Sequence, residues 1–161
     1  MKAVVVLGAD EERCKKRAQT AFDIILGSKY SGDTLILTGK DWRYSKYRHH
    51  LKWFCKRFTD VRLEEELYSE NTRENAIYSL KKMGELGISK ADIIVGPSQA
   101  AVAKRHFNRY NKDGYKLNFY AAPEGLKVSV RHFPWEMAKY IFSFVPQIDA
   151  VVRKWFSKVF T

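Results

Sequence analysis

Five short runs of aliphatic and β-branched residues recur along the chain at intervals too long for hairpins. Lys2–Gly8 and Thr34–Thr38 are almost continuous in apolar residues, Ala91–Val95 is broken only by Asp92, and Val61–Glu66 and Leu117–Ala121 are more mixed. A run without polar alternation is a strand covered on both faces, the situation of a parallel sheet. The intervening segments have helical spacing. In Glu11–Leu26 the residues Cys14, Ala18, Ala21, Phe22, Ile25 and Leu26 share one face, with Gly27 as the stop. Trp42–Phe58 reads as a basic helix, and Thr72–Leu86 as a helix with Ala76, Ile77, Leu80, Met83 and Leu86 inward. Gln99–Tyr110 is a further helix, and the helical pattern returns from Trp135 with an interruption at Pro146. Strand and helix alternate five times, so the chain is expected to form an α/β doubly wound parallel sheet in one domain over residues 1–161, the helical segment near 134–160 packed on it.

No apolar run approaches the roughly 18–20 residues of a membrane-spanning helix. The apolar run in MKAVVVLGADEERCKKR is short and followed at once by acids, unlike a signal peptide. With only Cys14 and Cys55, a disulfide framework is not expected and a reducing, cytoplasmic location is. The formal net charge of +11 calls for an anionic partner of some kind. That charge is uneven. Lys40–Phe58 holds Lys40, Arg43, Lys46, Arg48, Lys52, Lys56 and Arg57 against Asp41 alone, while Val61–Glu74 holds five glutamates against Arg62 and Arg73. An acidic island thus separates two basic regions.

Ligands of such sheets bind beyond the carboxyl ends of the strands, where successive crossovers leave for opposite faces. This rule selects Gly8-Ala9-Asp10, Thr38-Gly39-Lys40, Glu66 through Asn71, Gly96-Pro97-Ser98 and Ala121 through Glu124. In the third of these, Ser69 or Asn71 can cap the helix that starts near Thr72, Glu74 stands at the capping-box position, and Asn75 follows Asn71 by about one turn, so both amides can face the same side of the helix start. Other motifs are missing. Gly8-Ala9-Asp10 is no dinucleotide fingerprint, and Gly39-Lys40-Asp41 lacks the hydroxyl and upstream glycine of a phosphate loop. His49, His50 and Cys55 do not complete a zinc set.

The run Glu66-Leu-Tyr-Ser69-Glu-Asn71-Thr72-Arg-Glu-Asn75-Ala76 resembles the signature of the YdcF-like family, which includes SanA- and ElyC-type proteins and is largely a domain of unknown function. Val4 to Ala9, Arg13 to Phe22, Leu35 to Gly39 and Ile93 to Ser98, followed by Lys104 and Arg105, are similar to that family's first strand and turn, first helix, second strand and fourth strand. Two departures stand out: Lys40 replaces a second glycine, and Ala101 stands where relatives often carry histidine. The resemblance covers about residues 3 to 123. It implies a Rossmann-like three-layer α/β/α sandwich with a mostly parallel five-stranded sheet and a polar cleft. Many relatives carry an N-terminal membrane anchor, whereas this chain begins at its first strand, again in keeping with a cytoplasmic protein.

The expectation is an anionic, phosphate- or nucleotide-containing ligand in that cleft, bound and acted on by a hydrolase- or transferase-type reaction. Glu66 and Asp10 are the candidate catalytic carboxylates, which can share a proton or hold a divalent metal such as Mg²⁺. Gly8, Ala9, Thr38, Gly39, Ser69, Asn71, Thr72, Asn75, Ser98, Lys104 and Arg105 are the candidate ligand-binding residues, the last two through charge. Two alternatives remain open. The cations and aromatics of Trp42–Phe54 suit single-stranded nucleic acid, a rim of the cleft that draws in an anionic small molecule and stacks a base, or a helix packed by Leu51, Phe54, Cys55 and Phe58 with a solvated basic face. The stripe Ile148, Val151, Val152, Trp155 and Val159 suits the sheet, a homodimer seam or a membrane surface, and Glu136 can close the cleft.

Overall fold

The computed structural model describes residues 1–27 and 34–123. Its elements are β1 (Lys2–Leu7), α1 (Glu11–Leu26), β2 (Thr34–Thr38), α2 (Lys46–Phe58), β3 (Arg62–Glu66), α3 (Thr72–Glu85), β4 (Lys90–Val95), α4 (Ala100–Tyr110) and β5 (Lys116–Ala121), with 3-10 turns at Lys40–Arg43 and Pro97–Gln99. The five strands form one sheet in the order β3-β2-β1-β4-β5, and every pairing is parallel. The expected α/β Rossmann-like architecture is therefore present.

Alternation along the strands sorts the core into two layers. Val4, Val6, Leu35, Leu37 and Ile94 face Cys14, Ala18, Ala21, Leu51 and Cys55 of α1 and α2. On the other face Ala3, Val5, Leu7, Ile36, Ile93 and Val95 meet Ala76, Leu80 and Met83 of α3 and Ala103 and Phe107 of α4. Crossovers on the two faces diverge between β1 and β4. That junction is the topological switch point.

The edges explain the two weaker strands. β3 lies at one edge and its residues are exposed or half-buried, so RLEEE needs no continuous apolar run. β5 lies at the other and is likewise half-exposed. Three features differ from the sequence reading. The helix expected over Trp42–Phe58 is two pieces, because Ser45 caps α2 by accepting from the Tyr47 amide. Trp42 is no surface aromatic: it is fully buried, and its Nε1 donates to the Val6 carbonyl at 3.0 Å. Phe58 is 59% exposed and does not pack inward as Leu51 and Cys55 do. The readings for Glu124, Trp135, Glu136, Pro146 and the stripe Ile148 to Val159 lie outside the described residues.

The acidic island is the partner of the basic segment. Arg48 grips Glu65 through both carboxylate oxygens, each at 2.7 Å. Lys40 lies 3.7 Å from Glu70, and Glu64 pairs with Arg62 and with Lys82. The Arg48 bond holds the Glu65 carboxyl below its ordinary range. One cation of α2, Arg48, and Lys40 before it thus pair with the acidic island, whose Glu64 turns to Arg62 and to Lys82 of α3.

Candidate functional site

Each strand of the β1–β2–β3 half ends in a residue that turns the chain over its neighbour. The Gly8 amide donates to the Thr38 carbonyl at 2.7 Å, Gly39 to the Glu66 carbonyl at 2.8 Å, and Lys40 to Ser69 at 2.8 Å. The sheet ladder therefore continues into the loops. Gly39 has φ +111°, a conformation that L side chains rarely adopt, and a Cβ there would stand 3.1 Å from Asn75 Oδ1 and 3.3 Å from the Gly8 nitrogen. The loops after β1 and β2 touch through their two glycines.

Glu66 organises the adjoining loop. Its Oε1 accepts from the amides of Tyr68 at 2.8 Å and Ser69 at 3.0 Å, and its Oε2 accepts from the hydroxyls of Thr38 at 2.8 Å and Ser69. Two donors on each oxygen fill the lone-pair positions of a carboxylate. Asn75 Oδ1 lies 3.2 Å from Thr38 Oγ1, so the side chains of Thr38, Glu66, Ser69 and Asn75 form one buried or half-buried network. Asn71 takes a different part. Its Oδ1 accepts from the Glu74 amide at 3.0 Å, its Nδ2 donates to Glu74 Oε1 at 2.7 Å, and Glu74 Oε2 accepts from the Glu70 amide. Asn71 is thus the anticipated cap, while Glu74 departs from a strict capping box by reaching the Glu70 amide and the Asn71 side chain, and Thr72 is the buried first residue of α3. The expectation that Asn71 and Asn75 face one way is corrected: Asn71 serves the helix end and Asn75 turns to Thr38 and Gly39.

Asp10 is the cap of α1. Its Oδ1 accepts from the Arg13 amide at 3.1 Å and its Oδ2 from Arg13 Nε at 2.7 Å. Asp10 thus caps α1, while Glu66 ties the loop after β3. Among the described residues, no three histidine, cysteine, aspartate or glutamate side chains converge to hold a metal. Ala9 is buried, and its carbonyl accepts from Cys14 Sγ at 3.1 Å. Burial pushes the Cys14 thiol up to about 11, against the lowering effect of that backbone bond.

At the switch point the structure adds a residue that spacing had left among the apolar ones. Arg17 is fully buried. Its Nη1 donates to the carbonyls of Leu7 at 2.8 Å and Gly8 at 3.0 Å, and its Nη2 to Gln99 Oε1 at 2.8 Å. One planar guanidinium thus ties the end of β1 to the turn after β4. The signal was available: Arg17 stands three residues after Cys14 and four before Ala21, inside the inward stripe of α1. Two neighbours of this bridge carry buried polar atoms without a hydrogen-bond partner among the described residues. They are Arg13 Nη1, one turn before Arg17 on α1, and Ser98 Oγ, next to Gln99 in the turn Pro97–Gln99. Lys104 is exposed and Arg105 half-buried in the second turn of α4, roughly 7 Å along the helix axis from Ala100.

Comparison with protein-family models, with curated proteins and with solved structures gave no match to this chain.

Proposed function

We propose that this chain is a YdcF-like protein whose cleft at the carboxyl ends of the strands binds an anionic, phosphate- or nucleotide-containing small molecule. The observation that carries the reading is the pair of buried groups at the switch point, Arg13 Nη1 and Ser98 Oγ, with no hydrogen-bond partner among the described residues. A buried donor left unpaired costs about 1–3 kcal/mol, so a ligand that supplies the acceptor recovers that energy on binding. Arg13 offers Nη1 because Asp10 already occupies Nε. A polyoxyanion suits a guanidinium N–H and a hydroxyl on residues that adjoin the two ends of the Arg17–Gln99 bridge, Arg13 one turn before Arg17 and Ser98 next to Gln99.

The other residues have defined parts in this reading. Gly8, Ala9, Thr38 and Gly39 form the floor, with Gly8 and Gly39 allowing backbone to approach the ligand. Glu66 is a positioning residue that fixes Ser69 and Thr38, and Asn71, Thr72 and Asn75 set the start of α3 against them. Lys104 and Arg105 add positive potential, in line with the net charge of +11. Hydrolysis or transfer of the phosphoryl or nucleotidyl group is the activity this reading assigns to the bound molecule.

A thermal-shift screen of pyrophosphate, nucleotides and sugar phosphates tests the proposal. A ligand present at 100 times its dissociation constant adds about 2.7 kcal/mol of stability. Concentration-dependent stabilisation of the native chain, lost in Arg13→Gln, supports it, and stabilisation by no compound in the panel contradicts it.

A further inference from the structure

The outer face of α2 is left with a different kind of surface. Its sequence, KYRHHLKWFCKRF, has five basic residues and no acid. Trp53 is 62% exposed and Phe58 59% exposed, with ring centroids 5.0 Å apart in an edge-to-face pair. Phe54 joins this pair to α1: it lies 6.1 Å from Phe58 and 4.5 Å from Phe22. Both helices follow parallel strands on the same face of the sheet, so they run side by side in one direction. One turn beyond Phe22 and Phe54, the chain therefore presents Leu26 beside Phe58, and Leu26 is 64% exposed. The result is an apolar corner of Leu26, Trp53 and Phe58, flanked by the exposed cations Lys52, Lys56 and Arg57.

We infer that this corner is a docking surface for an anionic lipid bilayer. An aliphatic side chain and two aromatic ones can enter the headgroup region while the neighbouring cations meet lipid phosphates. Three observations favour a bilayer over a nucleic acid strand. Leu26 offers no ring to stack on, and the Trp53–Phe58 pair is edge-to-face at 71° instead of presenting parallel faces. On the β3 side of α2, Arg48 is paired with Glu65 and Lys52 also acts on that carboxylate, which leaves the charge of Lys56 and Arg57 at the corner. The corner lies where α1 and α2 end, at the amino end of the strands. Docking there leaves the carboxyl-end cleft facing away from the membrane, so the inference is independent of what that cleft binds.

Co-sedimentation of the full chain with phosphatidylcholine vesicles, with and without 30% phosphatidylglycerol, tests it. The native chain is expected to bind the anionic vesicles, less tightly as salt rises. Trp53→Ser with Phe58→Ser is expected to weaken binding at least about tenfold, and Lys52→Glu with Lys56→Glu to abolish it, since each cation contributes about fivefold. These positions are exposed, and an unchanged thermal unfolding midpoint confirms folding. Failure of the native chain to bind anionic vesicles overturns the inference, as does undiminished binding by both variants. Salt-sensitive binding to poly(U) that the same substitutions abolish, with vesicle binding intact, also overturns it.

Discussion

Arg17 donates to Gln99 across the carboxyl edge of the sheet, Nη2 to Oε1 at 2.8 Å, joining residues 82 apart in sequence. The same guanidinium serves the carbonyls of Leu7 and Gly8, so it links the loops that frame the switch point. Arg17→Met removes donors from three buried acceptors and is expected to cost on the order of 3 kcal/mol. Arg17→Lys keeps the charge and loses the planar fork, and is expected to recover less than half of that. Urea unfolding midpoints check both.

Glu66→Gln and Glu66→Ala separate positioning from proton transfer. Gln keeps one acceptor oxygen for the Tyr68 and Ser69 amides, and its amide can donate to hydroxyls that reorient. Ala leaves all four donors to water. The Ala variant is expected to lose roughly 2–4 kcal/mol and the Gln variant under about 1.5 kcal/mol. Hydrogen exchange is expected to quicken over residues 67–71 in the Ala variant, and equal losses in the two would contradict the positioning role.

The Arg48–Glu65 pair sets an acid limb of stability. The folded Glu65 carboxyl lies below its ordinary value of 4.5. Its contribution is therefore complete above that value and fades as pH falls through the lower folded value. A bidentate, partly buried pair contributes on the order of 1 kcal/mol. Arg48→Met is expected to lower stability by about this much at pH 7 and to converge with the native chain once pH falls below the lowered folded value, as acid unfolding curves will show.

Both cysteines are buried and free. With Cys14 pushed up to about 11 and Cys55 also raised by burial, the folded chain holds very little thiolate at pH 8. Ellman's reagent is expected to titrate both thiols in guanidinium and to react with the native chain at least about a hundredfold more slowly.

How far the chain is legible depends on where each signal acts. β1, β2 and β4 could be read from apolar runs because both faces are covered, and the Asn71 cap from its position before α3 because capping is local. The capping part of Asp10 was not legible, because a carboxylate after a strand serves equally as a helix cap or a ligand, and only the folded distance to Arg13 shows the cap. Trp42 looked like a surface aromatic because it is surrounded by cations, and the 3-10 turn that buries it has no periodicity to read. Arg17 and Gln99 are coupled through tertiary structure, which spacing along a chain does not encode. Part of the charge contrast is internal, since Arg48 of α2 pairs with Glu65 of β3.

The central claim is an anion held between Arg13 and Ser98. Calorimetric titration of pyrophosphate into the native chain, Arg13→Gln and Ser98→Ala tests it most directly. The structure leads us to expect saturable binding to the native chain, at least about tenfold weaker in each variant. No saturable binding to the native chain, or equal affinity in all three, would contradict it.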